Sequence, residues 1–510
     1  MSQQLPRRTP AQMLSIVLLG VVILVLALRF VLYLRYALAE IAYPFEVFDA
    51  EGIVWQQAML IPGSRMYGDI TRYPFIVFHY PPLYHLCVHG LSVLGINPLE
   101  AGRGVSVLAT LLTGGLIAAV VMRAARPGMA RLARNLGAAA GGLVYFSFWP
   151  VIAVSPLLRV DMLAVALSFA GLRCAMPAEG RRGPYYGAMV LFVMSVFTKQ
   201  TSLLAPMSML LVLLLIEPKF ALRLFGFGLL AGGIPLAVLT WITDGGFLRH
   251  LTLYNINRFS LSLMADQLLG QLPQAVFLLL AVVGVVVAWR QVASGHRRAG
   301  FAAVRQALRH NLNLRAMAML SLYLVLSTGS LMALGKSGGG LNYYVEWMAV
   351  LSVVLGLMVA AVAEQQSPGE NNVPAPPRML GLLVPLLLLA QLAALPVARD
   401  FGPNSPADRE KLQALQDRVG AAPKPVLSTD MVMLMQSGKG VPWEPAIFHE
   451  LASTGLWDEQ LIVAMIENHA FSFVITRPDS QFTPAVAQAI ATAYPVIEEQ
   501  AWHILHLPPH

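Results

Sequence analysis

The chain has 510 residues, of which 57% are hydrophobic and 12% are charged, and its net charge is +8 at pH 7. With a mean hydropathy of +0.64, this composition excludes an ordinary soluble protein and indicates an integral membrane protein. The basic residues cluster between apolar segments, which is typical of cytoplasmic loops and argues against nucleic-acid binding. The two cysteines, Cys87 and Cys174, form neither a disulfide framework nor a metal motif.

The first apolar segment, residues 12–36, follows Arg7 and Arg8 and has no small-residue cleavage site. We therefore expect a retained signal anchor whose N-terminus lies in the cytoplasm. The next apolar stretch, residues 83–96, is too short for a span of ~20 residues. Its apolar side chains follow a helical stripe, whereas His85 and His89 lie off that face. The stretch predicts an interfacial helix on the outer leaflet.

With that helix kept out of the bilayer, the positive-inside rule is met at every later turn. The predicted membrane domain covers residues 1–397, with a first outer loop at 37–100 and about eleven transmembrane helices. These spans are residues 12–36, 101–122, 136–154, 160–176, 185–198, 201–216, 220–241, 273–289, 315–334, 343–363 and 379–396. The C-terminus then lies outside the cell membrane.

Residues 398–510 differ in composition from the rest of the chain. PVLSTD (425–430) and FSFVITRP (471–478) are short β-rich runs bounded by turn residues, and EEQAWHILHL indicates a further strand. DEQLIVAMIENHA, between the first two runs, has helical spacing, and a polar helix precedes them. We predict a small α/β domain on the outer face.

The polar residues near the outer edge come from five separate loops, yet this topology places all of them at one leaflet. Ionisable groups at the end of a span are costly unless they are paired or face water, so each is a candidate site residue. The main candidates are Asp49, Glu51, Tyr67, Asp69, His79, Tyr80, Arg159, Asp161, Lys199, Arg258, Lys336, Asn342, Tyr343 and Glu346.

The sequence alone leaves two interpretations open for each charged candidate. In the first interpretation, Asp49 and Asp161 have structural roles as helix N-caps or partners of nearby cations. In the second, they share one pocket and serve as a general base and a cation ligand. Lys199 either extends toward the interface to solvate its charge or holds a lipid phosphate. The same pair of interpretations applies to Arg258. Glu346 is either a site residue or a partner for Lys336.

Several short motifs occur in a fixed order along residues 10–365. They are FDAEG, GSRMYGD and YPPL in the first outer loop, then RVDML, TKQT and NYYVEW at later outer turns. In this order they resemble the GT-C superfamily of membrane glycosyltransferases, above all protein O-mannosyltransferases and the lipid A aminoarabinose transferase. The resemblance implies a polytopic all-α fold with interfacial helices in the first outer loop.

The resemblance also implies a function. A sugar would pass, with inversion, from a polyprenyl-phosphate donor to a lipid, glycan or protein acceptor, with Asp49 as general base and Asp161 and Glu51 beside it. In some relatives such acids hold a divalent metal, so Asp49 and Asp161 are expected ligands for Mg or Mn. This chain has FDAEG in place of an adjacent Asp-Glu pair and has no large luminal insert, which puts a protein acceptor in question.

The remaining candidates are assigned by chemistry. We predict that cationic side chains bind the donor phosphate and that polar and aromatic ones bind the rest of the substrate. The first group is Lys199, Arg258, Lys336 and His79, and the second is Tyr80, Tyr67, Asn342, Tyr343 and Glu346. The partners are then membrane lipids, the donor and an unidentified acceptor, in the inner membrane. The alternative is a transporter or flippase for a lipid-linked sugar, although transporters place polar groups at the midplane.

Overall fold

The computed structural model describes residues 9–48, 50–126, 128–176, 181–293, 301–365, 379–398, 406–478, 480 and 482–509. The helices of the membrane region are α1 Pro10–Ile41, α2 Glu51–Leu60, α3 Leu83–Val93, α4 Pro98–Ala124, α5 Arg131–Val144, α6 Trp149–Val154, α7 Asp161–Cys174, α8 Gly183–Val196, α9 Leu204–Ile216, α10 Pro218–Ile242, α11 Gly246–Leu248, α12 Leu261–Leu269, α13 Ala275–Ala293, α14 Phe301–His310, α15 Leu312–Ser330, α16 Val345–Glu364 and α17 Leu380–Ala394.

Helices occupy the positions of all the predicted spans. Six segments of the described residues are long and apolar enough to cross a membrane, namely Pro10–Ile41, Pro98–Ala124, Pro218–Ile242, Leu261–Val287, Leu312–Gly335 and Val345–Glu364. The apolar helices α8, α9 and α17 are shorter than that limit. The chain is therefore an integral membrane protein, and a total of eleven crossings stays a prediction.

Helix α16 is the centre of the membrane region, with 94% of its most apolar window buried. It packs closely on α5 through small residues. A Cβ on Gly137 would lie 2.5 Å from the carbonyl oxygen of Gly356, and a Cβ on Gly356 would lie 2.7 Å from that of Gly137. Only glycine permits this approach, as at other helix contacts in membranes.

One predicted span is broken. The sequence predicts a single helix over residues 136–154, but α5 ends at Val144 and α6 begins at Trp149 after a 3₁₀ turn at Tyr145–Ser147. Pro150 accounts for the break, because it has no N–H to continue the hydrogen-bond ladder and is instead tolerated in the first turn of α6.

The predicted helix is present as α3, and its predicted apolar stripe is not covered by protein, since Leu86 and Leu94 are exposed. Tyr84, His85 and Val88 are buried against the protein, whereas Leu86 and Val93 are 43% and 72% exposed. His85 was expected on the polar side. The exposed apolar residues form a stripe that suits contact with lipid tails.

The C-terminal residues form the predicted α/β unit. Its helices are α18 Pro406–Ala421, α19 Met431–Gln436, α20 Pro445–Ser453, α21 Gln460–Glu467 and α22 Pro484–Ala493, and its strands are β1 Leu427–Ser428, β2 Val474–Thr476, β3 Val496–Gln500 and β4 His503–Leu507. The sheet order is β1-β2-β4-β3, with β1 and β2 parallel and the other pairs antiparallel. The last predicted strand is a hairpin of two strands.

This unit packs directly on the first outer loop. Phe75 pairs with Trp443 in a parallel bridge, and Gln56 of α2 donates to the Val441 carbonyl at 3.0 Å. A Cβ on Gly52 would lie 2.2 Å from the backbone carbon of Met431, so α2 and α19 meet at a position where only glycine fits. The loop and the α/β unit share one buried core.

Candidate active site

Asp161 is the centre of a buried polar cluster at the start of α7. Its Oδ1 accepts from Lys199 Nζ at 2.6 Å and from Asn342 Nδ2 at 3.0 Å, and its Oδ2 accepts from Arg159 Nε at 3.3 Å. The Asp161 side chain is 1% exposed, whereas those of Lys199 and Arg159 are 14% and 15% exposed. One enclosed carboxylate thus holds two cations that still reach solvent.

Three separate turns between helices build this cluster. Arg159 lies in the turn between α6 and α7, Lys199 in the turn between α8 and α9, and Asn342 in the 3₁₀ turn before α16. Aromatic rings surround it. Lys199 Nζ lies 5.0 Å from the centroid of the Tyr343 ring, and Tyr80 lies close enough to the Arg159 guanidinium to affect its pKa. The structure thus brings Arg159, Asp161, Lys199 and Asn342, which come from separate turns, into one cluster.

The cluster carries more positive than negative charge. Burial acts to lower the pKa of Lys199, but the Asp161 carboxylate outweighs it, so the pKa is raised above its ordinary value. The pKa of Arg159 is likewise raised, since Tyr80 and Asp161 outweigh its burial. Both side chains stay cationic, which suits an anionic ligand.

Glu51 does not fit its predicted catalytic role. It is fully buried and forms a bidentate ion pair with Arg103 of α4, at 2.8 and 2.7 Å. Its oxygens also accept from the backbone N–H of Leu158 and Val47. With both oxygens engaged and neither in contact with solvent, Glu51 instead fixes the loop to the membrane helices.

Asp49 lies outside the described residues. Its neighbour Phe48 is 49% exposed, and the Arg159 guanidinium lies 5.8 Å from the Phe48 ring centroid. Ala50 follows as the N-cap of α2 with a left-handed φ of 77°. The first outer loop therefore reaches the Asp161 cluster at the residue before Asp49.

Two predicted phosphate ligands lie elsewhere. Arg258 is 62% exposed at its side chain and pairs with Glu450 of α20 at 3.0 Å. Lys336 is exposed, and its backbone pairs with Phe259 in an isolated bridge. The structure does not bring either residue to the cluster. Glu346 accepts from the Tyr323 hydroxyl at 2.6 Å, so the alternative pairing with Lys336 is wrong.

The aromatic residues of the first outer loop have two roles. Tyr67 is 1% exposed, and its hydroxyl donates to the Tyr80 carbonyl at 2.8 Å, so it supports the loop and does not face a substrate. Tyr80 itself borders the cluster. The His79 ring is held at Nε2 by the Glu444 carboxylate at 2.8 Å. Asp69 is exposed and closes a local turn with Thr71.

The described residues do not fit the expected divalent metal. Both oxygens of Asp161 are bound by cations or an amide, so a metal ion would meet two positive charges. Within the described ranges no group of three or more His, Cys, Asp or Glu side chains could hold a metal ion.

Sequence reasoning missed Arg103 and Glu444. A signal existed for Arg103, because an arginine near the start of an apolar span requires a partner. It donates to the carbonyls of Glu40, Tyr43 and Phe45 as well as to Glu51. No sequence pattern indicated a role for Glu444, since its partner His79 is 365 residues away in the chain.

These features define a polytopic membrane protein with a polar centre at one edge and an α/β unit packed over it. The crystal structure of ArnT from Cupriavidus metallidurans bound to undecaprenyl phosphate is similar over 96% of this chain and 99% of that chain, with a TM-score of 0.56 and 13% identity. Its apo state gives a TM-score of 0.52 and 14% identity, with the same coverage. The predicted fold is thereby confirmed as one that this chain shares with ArnT.

A weaker likeness is to the oligosaccharyltransferase AglB from Archaeoglobus fulgidus in complex with an inhibitory peptide and a dolichol-phosphate. It covers 88% of this chain and 69% of that chain, with a TM-score of 0.46 and 11% identity. Searches with protein-family profiles and among curated protein sequences gave no match.

Proposed function

We propose that the chain is a glycosyltransferase that moves a sugar from a polyprenyl-phosphate donor to an acceptor at the outer face of the inner membrane. The Asp161 cluster is the observation that carries this proposal. Two cations against one buried carboxylate leave positive charge at the membrane edge, where a lipid phosphate lies. The shared fold with ArnT, which was crystallised with undecaprenyl phosphate, supports the same donor class.

In this mechanism Lys199 and Arg159 bind the donor phosphate and stabilise it as it departs. Asp161 and Asn342 hold Lys199 in place before the substrate arrives, which lowers the cost of reorganisation during the reaction. Tyr343, whose ring lies beside Lys199, borders the sugar subsite.

Asp49 is the proposed general base. It would take a proton from the acceptor hydroxyl, which attacks the anomeric carbon opposite the departing phosphate and inverts it. Support comes from its neighbour Phe48, which contacts the Arg159 guanidinium. The base and the phosphate ligands would then lie on two sides of one sugar.

We also propose the orientation of the chain. Three basic segments lie at the helix ends opposite the cluster. They are the turn that contains Arg126, the turn that contains Arg182, and helix α14. By the positive-inside rule those ends face the cytoplasm, as does the N-terminus. The cluster and the C-terminal unit then face outward, where the acceptor is met.

Transfer from a panel of radiolabelled lipid-linked sugars tests the proposal. Membranes with the wild-type protein are expected to pass label to a new product, and Lys199→Met to reduce the rate about a hundredfold or more. Lys219→Met, at the first turn of α10, is the matched control and should leave the rate unchanged. Equal rates for Lys199→Met and wild type would contradict the phosphate site, and donor translocation without transfer would favour a flippase.

A further inference from the structure

A buried contact joins the C-terminal unit to the edge of the site. His79 Nε2 and Glu444 Oε2 are 2.8 Å apart, and the two side chains are only 16% and 8% exposed. His79 belongs to the first outer loop and Glu444 to the segment that leads into α20. The pair thus lies at the seam between the two parts of the molecule.

His79 is fixed beside the residues of the Asp161 cluster. Its carbonyl accepts from Gln200 Nε2 at 2.9 Å and from Asn255 Nδ2 at 3.3 Å. Gln200 directly follows Lys199, and Tyr80, the residue after His79, lies near Arg159. His79 is therefore next in the chain to Tyr80, which lies near Arg159, and its carbonyl binds Gln200, the residue after Lys199.

The Glu444 carboxylate is directed at His79 instead of its own helix. Glu444 is the N-cap of α20, where an acidic side chain usually caps the free N–H groups, but its side chain makes no such bond. The preceding Trp443 is 2% exposed in the shared core and anchors the backbone. The carboxylate is thus held at the ring from a rigid position.

We propose that Glu444 is a positioning residue for the donor phosphate, acting through His79. The carboxylate accepts the Nε2–H of the ring, which fixes the ring and leaves Nδ1 directed away from Glu444. A proton on Nδ1 would then let the fixed ring donate to a phosphate oxygen. This inference rests on the proposed function, and it makes the C-terminal unit a part of the phosphate site.

The competing explanation is that the contact only holds the two parts together. A second contact on the same helix separates these explanations. Glu450 of α20 pairs with Arg258 of the membrane region at 3.0 Å, also across the seam. Arg258 is 62% exposed and lies away from the cluster, so Glu450→Gln removes a comparable ion pair without touching the phosphate site.

Binding of undecaprenyl phosphate to the purified full-length chain in nanodiscs provides the test. Glu444→Gln and His79→Gln are each expected to raise the Kd about tenfold, the effect of one charge-assisted hydrogen bond. The double variant should bind about as weakly as either single variant, since both act on one contact. Glu450→Gln should bind within about twofold of wild type. Thermal melting of each variant verifies that it is folded.

The outcomes distinguish this inference from the proposed function. Wild-type affinity in Glu444→Gln, together with weak binding in Lys199→Met, would overturn the role of Glu444 and leave the proposed function intact. Equal losses in Glu444→Gln and Glu450→Gln would show that docking alone matters and would also overturn it. Wild-type affinity in Lys199→Met would remove the phosphate site itself.

Discussion

At the residue scale, two buried carboxylates with arginine partners have different roles. Asp161 pairs with two cations that stay partly exposed. Glu51 and Arg103 are both fully buried and form an ion pair with each other. The first arrangement leaves donors free for a ligand and the second leaves none. Both clusters contain a buried carboxylate. The proposed site differs from the Glu51–Arg103 pair because its cationic side chains are partly exposed.

This distinction predicts opposite phenotypes for two neighbouring acids. Glu51→Gln should destabilise the protein by about 3–5 kcal/mol, because it leaves the Arg103 charge buried without a counter-ion. Asp49→Asn should abolish transfer and leave the melting temperature near that of wild type. Melting in detergent and transfer assays on the same preparations measure both. An Asp49→Asn variant with wild-type turnover would remove Asp49 from the role of base.

Asp161→Asn tests how the cations are held. The neutral amide would leave Lys199 and Arg159 without their shared anion, so we expect lower stability together with loss of transfer. Asp69→Asn is the matched control, since Asp69 is an exposed loop acid away from the cluster. Normal stability and turnover in Asp161→Asn would contradict the arrangement described for the cluster.

At the element scale, the sequence predicts the helix α3 and its apolar stripe, but not what packs on the opposite side. Leu86 and Leu94 of the stripe are exposed, whereas Tyr84 and His85, off the stripe, are buried against the protein. Amphipathic spacing identifies an apolar stripe without saying whether lipid or protein covers it. In a bilayer both sides of a helix can be apolar, so the pattern alone does not decide.

The contact between α2 and α19 gives a test at this scale. Gly52→Ala puts a Cβ 2.2 Å from the Met431 backbone, so α19 must move away and the shared core must open. We expect faster proteolysis of the C-terminal unit and a lower melting temperature. Gly90→Ala in α3 is the control, because nothing lies within 4 Å of a Cβ there. Equal protease resistance in both variants would contradict this packing.

The turn after α11 should be sensitive to acid through His250. Its Nδ1 accepts from the Phe78 N–H at 3.0 Å, and its Nε2 donates to the Gly68 carbonyl at 2.7 Å, so the ring is bound as the neutral form. Burial lowers its pKa to about 4, further reduced by His79 and Arg249 and opposed by the Gly68 bond.

In the unfolded chain the His250 side chain has a pKa of roughly 6.5. Above that pH the ring is neutral in both the folded and the unfolded chain, so its stabilisation of the folded chain is complete. It is lost as the pH falls from roughly 6.5 toward the folded-state value. Melting temperatures at pH 7.5 and 4.5 should therefore differ more for wild type than for His250→Gln. The same pH dependence in both proteins would contradict a buried neutral ring.

At the scale of the whole molecule, the fold class, the C-terminal α/β unit and the clustering of polar residues from separate turns were predictable from the sequence. Hydropathy and basic loops define spans, and the order of short motifs indicates the fold. The partners of Glu51, Arg258 and His79 were not predictable, because each lies far away in the chain. An ion pair between residues far apart in the chain produces no periodic pattern in the sequence.

Cysteine labelling tests the proposed orientation. In a background without Cys87 and Cys174, Lys336→Cys should react with a membrane-impermeant maleimide added outside intact cells. Arg182→Cys, which is also exposed, should react only after the membrane is opened. Labelling of both from the same side would contradict the topology, and with it the outward position of the Asp161 cluster.

The shared core of the first outer loop and the C-terminal unit has a consequence for biosynthesis. Gln56 and its partner Val441 are separated by 385 residues, so at roughly 5–20 residues per second the ribosome adds the second roughly 20–80 s after the first. In the proposed orientation the loop is already exported during that interval, while α19 and the segment around Val441, which pack on it, have not been made. Its aromatic side chains are then open to proteases and chaperones outside the membrane, and the newly made chain passes its most vulnerable period before its last hundred residues arrive.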